Sequence, residues 1–245
     1  MSKQVISLAR TPSRGLVRLV EGGLLLRLLA ADAGQWLGGR RGTRCLFPDT
    51  EIYWRLGQAL RRGEPFEVSQ WGVPHFALRT PGYPLFLAGC QLLFGDRTLP
   101  ARLAQAVLGA ACVLLVYALV ARVTHGTRPA LVAAALTALD PGTIGLSALV
   151  LSEAVFLPLM LLGLWGLAVL WSSELPRQAV WIALGTGAAW GAAILVKPSW
   201  ELFPPVALLV WLIGVRRRSA LVGVLLVALG LAATLAPWWI RNGQV

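Results

Sequence analysis

The feature that most constrains this chain is a series of long apolar stretches that are almost free of charged side chains. A helix needs about 20 mostly apolar residues to cross the hydrocarbon core of a bilayer. Only 13% of the residues are charged, whereas a soluble domain carries about 25%. The chain therefore lacks the polar side chains that a water-facing surface requires. We predict an all-α, polytopic transmembrane helical bundle in which residues 1–245 form a single membrane-embedded domain.

The apolar pattern predicts about seven spans. The clearest is Leu103–Val123, and the least secure is the first, because Arg18, Glu21 and Arg27 interrupt it. In order, the predicted spans are Leu16–Ala31, Leu103–Val123, Ala130–Leu146, Ala154–Trp171, Ala179–Val196, Leu202–Val215 and Leu221–Trp238.

The net charge of +11 comes from basic residues in the connections between apolar stretches. In a soluble protein such a charge would suggest nucleic-acid binding, but here it indicates topology and contact with a lipid bilayer, with no nucleic-acid partner. Short basic loops stay in the cytoplasm, and seven spans place four basic segments on one side. We therefore predict a multi-pass protein of the cell (inner or plasma) membrane with a cytoplasmic N-terminus. The four segments are Lys3 to Arg18, Arg122 with Arg128, Arg177, and Arg216 to Arg218.

A long polar segment, about residues 32–102, then forms the first extracytoplasmic loop. Thr50–Arg62 has one apolar stripe at helical spacing, with Asp49 as the predicted N-cap. Tyr83–Phe94 predicts a second helix that is too short to span. We expect both to be short interfacial helices lying at the membrane surface.

Isolated charges at the ends of the predicted spans converge on the same extracytoplasmic face, which indicates a functional site. Each has a structural alternative: Asp49 as a helix cap, Arg79 and Lys197 as side chains that reach the interface, and Glu153 as an acid at a helix N-terminus. The converging residues are Asp49, Glu51, Arg79, Asp140, Glu153, Lys197, Glu201 and Arg241.

Five short motifs, in this order, resemble the GT-C superfamily of integral-membrane glycosyltransferases. The resemblance is to bacterial members related to protein O-mannosyltransferases and lipid A aminoarabinose transferases, and it runs from about residue 16 to the end of the chain. The motifs are Asp49 with Tyr53, RTPGYPLF (Arg79 to Phe86), Ser152-Glu153, Lys197-Pro198 and PWWIRN (Pro237 to Asn242).

The resemblance implies a polyprenyl-phosphate-linked sugar donor and an extracytoplasmic active site beneath the first long loop. It implies that Asp49 is the catalytic acid of the loop, which activates or orients an acceptor (protein, lipid or glycan). The further expected site residues are acids of the acceptor or donor site, cations for the lipid phosphate, and residues that shape the loop. In that order they are Glu51 and Glu153; Arg79, Lys197 and Arg241; and Tyr53, Pro81, Gly82 and Tyr83.

The sequence departs from the family pattern in two places. Arg79 stands about where the aminoarabinose transferases place a second, metal-associated acid, so we assign no metal ligand and no cofactor, with a divalent metal kept as the alternative. Family members continue through more spans into a soluble C-terminal domain, which we expect to be absent here, so the chain is an N-terminal fragment or a truncated relative. The competing functions are a transporter or lipid-handling membrane protein, and a non-catalytic truncated relative.

Overall fold

The computed structural model describes residues 13–43, 46–70, 73–171, 177–215 and 218–244. Within them the chain forms ten α-helices, one short β-hairpin and a 3-10 turn at Pro198–Trp200. The basic loop predicted at Arg216 and Arg217 lies outside the described residues, as do Lys3, Arg10 and Cys45. In chain order the helices and strands are α1 (Arg14–Arg40), α2 (Pro48–Arg62), β1 (Val68–Gln70), β2 (Val73–His75), α3 (Gly82–Phe94), α4 (Thr98–Thr124), α5 (Thr127–Leu139), α6 (Pro141–Ala148), α7 (Glu153–Trp171), α8 (Arg177–Val196), α9 (Phe203–Gly214) and α10 (Arg218–Asn242).

The helical membrane bundle is confirmed, but the count of seven spans is not. In the described part of the chain, four helices are long and apolar enough to cross a membrane: α4, α7, and the segments Ala179–Val196 of α8 and Ala220–Asn242 of α10. The bent pair α5 and α6 makes a fifth if it is one span. Helix α1 is long but carries four charged residues between Arg18 and Asp32, and α9 has only 12 residues.

Helices α7 and α8 pack antiparallel through glycines. A Cβ at Gly163 would come within 2.2 Å of the ring of Trp190, and a Cβ at Gly166 within 2.1 Å of Oγ1 of Thr186. Because residue numbers fall on α8 as they rise on α7, α7 begins at the end of the bundle where α8 finishes.

Helices α8 and α10 pack parallel and even more closely. A Cβ at Gly187 would lie 2.0 Å from the carbonyl oxygen of Val227, and a Cβ at Gly191 would lie 2.8 Å from Cβ of Thr234. Only glycine allows backbones to approach in this way, so the two helices form one tightly packed pair. Helix α7 begins, and α8 and α10 end, at the same end of the bundle. We call this end of the bundle the "site end".

Helix α4 runs parallel to α7 and therefore also begins at the site end. Gln105 and Ala154 line one small cavity, whereas Arg122 lies 3.5 Å from the carbonyl oxygen of Ala168, further along both helices. The basic Arg122 thus lies at the end opposite to the start of α7, as the predicted topology requires.

The predicted span Ala130–Leu146 is broken in its middle. Helices α5 and α6 meet at a bend of 42°, and the carboxylate of Asp140 caps α6 by accepting from the backbone N–H of Thr143 (2.7 Å). Proline at the first position of α6 has no N–H to continue α5. Asp140 therefore belongs to a bend within the bundle and does not lie with the charges of the site end.

Arg27 holds this bend. It is the middle residue of α1, about 20 Å from the end of that helix at 1.5 Å per residue, and it is fully buried. Its guanidinium donates to the carbonyl oxygens of Thr137 (2.9 Å) and Ala138 (3.1 Å) and to Oγ1 of Thr143 (3.0 Å). The last carbonyls of α5, which have lost their helical partners at the break, are satisfied in this way.

The long segment between α1 and α4 contains the two predicted short helices, with one correction. Helix α3 starts one residue before its predicted start. Helix α2 begins at Pro48, and Phe47 is its N-cap without a side-chain hydrogen bond, so the prediction that Asp49 is the N-cap is wrong. Proline is favoured at the first helical position because its missing N–H needs no partner there, and this moves the start of the helix ahead of Asp49. The hairpin β1–β2, with Val68 opposite His75, was not predicted.

An apolar core lies directly beneath this loop. It joins α2 and α3 to the ends of α7 and α8, and hence fixes the loop on the bundle. Its buried residues are Trp54, Tyr83, Leu87, Cys90, Ala101, Val150, Phe156, Ala193 and Val196.

Candidate active site

Asp49 lies in the first turn of α2, where the partial positive charge of the helix N-terminus favours an acid. Its side chain is 55% exposed and accepts a hydrogen bond of 2.7 Å from Arg79. On the next residue, Thr50, the buried hydroxyl donates to the carbonyl oxygen of Val150 (2.9 Å). This bond ties the first turn of α2 to the segment between α6 and α7, so the position of Asp49 is set by the bundle.

Arg79 is held between an acid and an aromatic ring. In addition to its ion pair with Asp49, its guanidinium carbon lies 5.4 Å from the centre of the Tyr53 ring, within range of a cation–π contact. Tyr53 in turn meets Tyr83 edge to face, with ring centres 5.1 Å apart. The structure therefore brings Asp49, Tyr53, Arg79 and Tyr83 together, as the sequence predicts.

Gly82 seats the start of α3 on the end of α8, next to its N-cap Pro81. A Cβ at Gly82 would lie 2.6 Å from the carbonyl carbon and oxygen of Leu195 and 2.7 Å from the backbone nitrogen of Val196. No side chain fits in that space, so glycine is required by the approach of two backbones. The contact places the Arg79 segment beside Lys197, the residue that follows α8.

Glu153 and Lys197 form a second ion pair at the site end. The ammonium nitrogen of Lys197 lies 2.7 Å from Oε1 of Glu153, and both side chains are a little over one-third exposed. Ser152 donates to Oε2 of Glu153 (3.3 Å), and Lys197 also lies 5.8 Å from the centre of the Phe156 ring. The partner expected for an acid at the edge of an apolar helix is thus Lys197.

Gln105 is a site-supporting residue that was not predicted. It is buried, accepts from the hydroxyl of Tyr83 (2.8 Å) and donates to the carbonyl oxygens of Leu146 (2.8 Å) and Leu149 (2.7 Å). It therefore locks α3 to α4 and to the end of α6. The signal in the sequence is a lone amide within the apolar stretch of α4, which must find partners when buried.

Two predicted site residues, Glu51 and Arg241, have other partners. Glu51 pairs with Arg55 one turn along α2, at 2.8 Å, on the exposed face of the helix. Arg241 binds backbone carbonyls at the base of the β1–β2 hairpin.

An apolar groove of about 610 Å³ lies between α3, α4 and α7. It adjoins the site through Phe86, whose ring stacks on Tyr83 with centres 5.9 Å apart, and through Val155, two residues beyond Glu153. Its lining residues are Phe86, Ala104, Val107, Leu108, Leu115, Val155, Pro158, Leu159 and Leu162. The site end thus has two ion pairs next to a groove whose apolar lining suits an apolar ligand.

The side chains at the site end, as far as the structure describes them, do not fit a metal ion. Among the described residues, no group of three or more His, Cys, Asp or Glu side chains is arranged to hold one. Next to Asp49 the structure has the guanidinium of Arg79, and a cation at this position opposes the binding of a second cation.

Comparison with known proteins finds relatives of one kind. The sequence profile of the family described as dolichyl-phosphate-mannose-protein mannosyltransferase matches residues 78–240, a range that includes Arg79, Glu153 and Lys197 but neither Asp49 nor Arg241. The chain is 29% identical over 228 residues to undecaprenyl phosphate-alpha-4-amino-4-deoxy-L-arabinose arabinosyl transferase 2 of Pseudomonas fluorescens. That alignment covers 91% of this chain and 37% of the relative, so the chain spans little more than a third of the relative's length. No solved structure matches the chain.

Proposed function

The chain belongs to the dolichyl-phosphate-mannose-protein mannosyltransferase family, and on that basis we propose that it acts in glycosyl transfer of the GT-C type. It moves a sugar from a polyprenyl-phosphate donor to an acceptor at the extracytoplasmic face of the membrane. One observation carries this proposal: an apolar groove starts beside two ion pairs, Asp49–Arg79 and Glu153–Lys197. A lipid with a phosphate head group matches this arrangement, because its phosphate is charged and its chain is hydrocarbon.

Asp49 is the proposed catalytic base. In the reaction, an acceptor hydroxyl or amine attacks the anomeric carbon of the sugar, the bond from that carbon to the phosphate oxygen breaks, and the phosphate leaves with the electron pair. The acceptor proton passes to the carboxylate of Asp49. The exposure of Asp49 leaves it accessible to an acceptor arriving from the aqueous side, and such a base must come within about 3 Å of the proton that it removes.

Arg79 and Lys197 are the proposed ligands of the lipid phosphate. A guanidinium offers two parallel N–H donors to phosphate oxygens, and an ammonium adds a point charge. Negative charge grows on the bridging oxygen as the bond breaks, and cations in a partly desolvated site stabilise it more than they would in water. Glu153 is the acid that holds Lys197 in position at the donor side.

The groove next to the site is the proposed position of the first isoprene units of the donor. Its lining is apolar and it is continuous with the ring of Tyr83 through Phe86. Burying apolar surface contributes about 25 cal/mol per Å², so the lipid chain supplies binding energy while the phosphate lies at the charge pairs. The name of the bacterial relative suggests undecaprenyl phosphate as the lipid and an aminopentose as the first sugar to test.

The test is the release of free polyprenyl phosphate from a radiolabelled polyprenyl-phosphate sugar. Membranes with the wild-type chain, its Asp49→Asn variant, a Glu64→Gln control and any longer product of the same gene are compared. Glu64 is an exposed acid whose partner, Arg62, is 3.6 Å away. We expect Asp49→Asn to lower release by about 100-fold or more, since a positioned base contributes 10²–10⁴-fold, and Glu64→Gln to leave it unchanged.

Three outcomes would count against parts of this proposal. Equal release by the wild type and Asp49→Asn would remove Asp49 from the catalytic role. Release by the longer product alone would show that the reaction needs a segment beyond this chain. No release by any protein, over a varied set of donors, would contradict glycosyl transfer and favour a transporter or lipid-handling protein.

A further inference from the structure

Arg241 joins the last helix of the chain to the first extracytoplasmic loop. It lies in the last turn of α10, and its guanidinium donates to the carbonyl oxygen of Phe66 (3.0 Å) and, through its other terminal nitrogen, to that of Phe76. It also donates to Oδ1 of Asn242 (3.0 Å). The hydrogen bonds of this side chain are therefore made to the protein.

The two carbonyls lie at the open end of the β1–β2 hairpin, one beside each strand. Phe66 precedes β1 and Phe76 follows β2, and the first paired residues above them are Val68 and His75. One planar guanidinium with several donors in a fixed fork can bridge two carbonyl oxygens, whereas a lysine ammonium is a single point donor. Arg241 thus closes the base of the hairpin.

Two aromatic rings lie beside the same guanidinium. Its central carbon lies 5.0 Å from the ring centre of Trp238 and 5.6 Å from that of Phe66, and these two rings meet edge to face at 5.8 Å. The guanidinium is therefore hydrogen-bonded to protein oxygens and lies within cation–π range of both rings. We call this set of contacts, made by Arg241 with Phe66, Phe76 and Trp238, the clasp.

We propose that Arg241 is a positioning residue, not a phosphate ligand: it clamps the base of the hairpin and thereby sets Arg79 against Asp49. Phe76 is three residues from Arg79, so a shift of its carbonyl is transmitted along a short segment to the Asp49–Arg79 pair. Helix α10 is packed tightly on α8, which ends next to Lys197, so the same helix pair positions both proposed phosphate ligands. This part of the proposal rests on the proposed function, whereas the clasp itself does not.

The first test measures hydrogen exchange of the backbone amides of residues 66–76 in the full chain in detergent. Wild type is compared with Arg241→Lys, Arg241→Ala and an Arg62→Lys control, since Arg62 is an exposed arginine of the same loop. A clasp predicts that both Arg241 variants speed exchange of the hairpin amides by about tenfold, because lysine cannot bridge the two carbonyls. Exchange that stays at the wild-type rate in Arg241→Lys and Arg241→Ala would overturn the clasp, whether or not the protein transfers sugar.

The second test asks whether Arg241 acts through Arg79. The donor KM and kcat of release are measured for Arg241→Lys, Arg241→Ala, Arg79→Lys and the Arg241→Lys/Arg79→Lys double variant. A positioning role predicts a fall in kcat of about tenfold for Arg241→Lys that largely disappears when Arg79 is already replaced, because coupled residues are not additive. A phosphate ligand predicts instead that Arg241→Lys preserves kcat and KM while only Arg241→Ala raises KM, and this result, or a fully additive loss in the double variant, would overturn the positioning role.

Discussion

Replacing Arg27 with methionine is expected to destabilise the bundle strongly. Methionine keeps an apolar side chain of similar length but removes the donors to Thr137, Ala138 and Thr143. The hydroxyl of Thr143 also bonds to the carbonyl oxygen of Asp140 (3.2 Å), so its loss is partly compensated. The two carbonyls at the end of α5 are left without this partner in the interior of the bundle.

The magnitude follows from these two carbonyls. A buried acceptor left unsatisfied costs about 1–3 kcal/mol, which gives a loss of about 2–6 kcal/mol for the pair. Removing the buried charge offsets part of this cost, so we expect a net loss of about 3 kcal/mol. For a chain of this size that corresponds to a fall in Tm of roughly 6–12 °C.

The assay follows labelling of buried thiols by a thiol-reactive dye as the purified protein is heated in detergent. Cys90 and Cys112 are both buried, and Cys112 lines the small cavity next to Thr143, so it reports directly on this region. Arg18→Met on the exposed side of α1 is the matched control and should leave the Tm within about 2 °C of the wild type. If Arg27→Met also stays within that range, the guanidinium does not hold the α5–α6 bend and the reasoning is refuted.

Two further substitutions test the support of the site. Gly82→Ala places a Cβ 2.6 Å from the backbone of Leu195, so α3 must move away from α8. We expect polyprenyl phosphate release to fall by about tenfold or more, with little change in far-UV circular dichroism. The control Gly89→Ala, at a position with open space, should keep wild-type release. Gln105→Leu removes the partner of Tyr83 and of two carbonyls, and we expect a loss of about 3 kcal/mol in unfolding free energy, seen as a lower Tm in the thiol assay. Tyr83→Phe should cost only about 1 kcal/mol, and an equal Tm for the two variants would contradict the assignment of Gln105 as the junction of three helices.

The helical bundle and the turn that precedes α3 were largely predictable from the sequence, because both depend on patterns that are local. Apolar stretches fix helices whatever their neighbours do, and the PGYP turn before α3 depends on backbone preferences that proline and glycine set by themselves. The sequence predicts Asp49 and Arg79 near Glu153 and Lys197 because the long loop and the ends of two spans fall on the same predicted side. Which acid pairs with which cation was not predictable, since that depends on the lateral order of the helices.

The errors come from residues whose role is set by long-range contacts. In the sequence, Arg27 only interrupts a predicted span, and its role becomes visible once α5 is found to end against it. Asp140 was predicted at a surface turn because a bend inside a bundle has the same local sequence as a loop. Asp49 was predicted as a cap from a preference that Pro48 overrides. Gln105 and Arg241 act on carbonyls that are distant in the chain, and a sequence gives no sign of which carbonyl lacks a partner.

The clasp between α10 and the hairpin has a consequence for how the protein is made. Phe76 and Arg241 are separated by 165 residues, and at about 5–20 residues per second a ribosome needs roughly 8–33 seconds to add them. Early in that interval the Asp49–Arg79 segment lacks its contact with α8, and until α10 is made it also lacks the contact with Arg241. The contacts of Arg241 with the hairpin can therefore form only after α10 has been made.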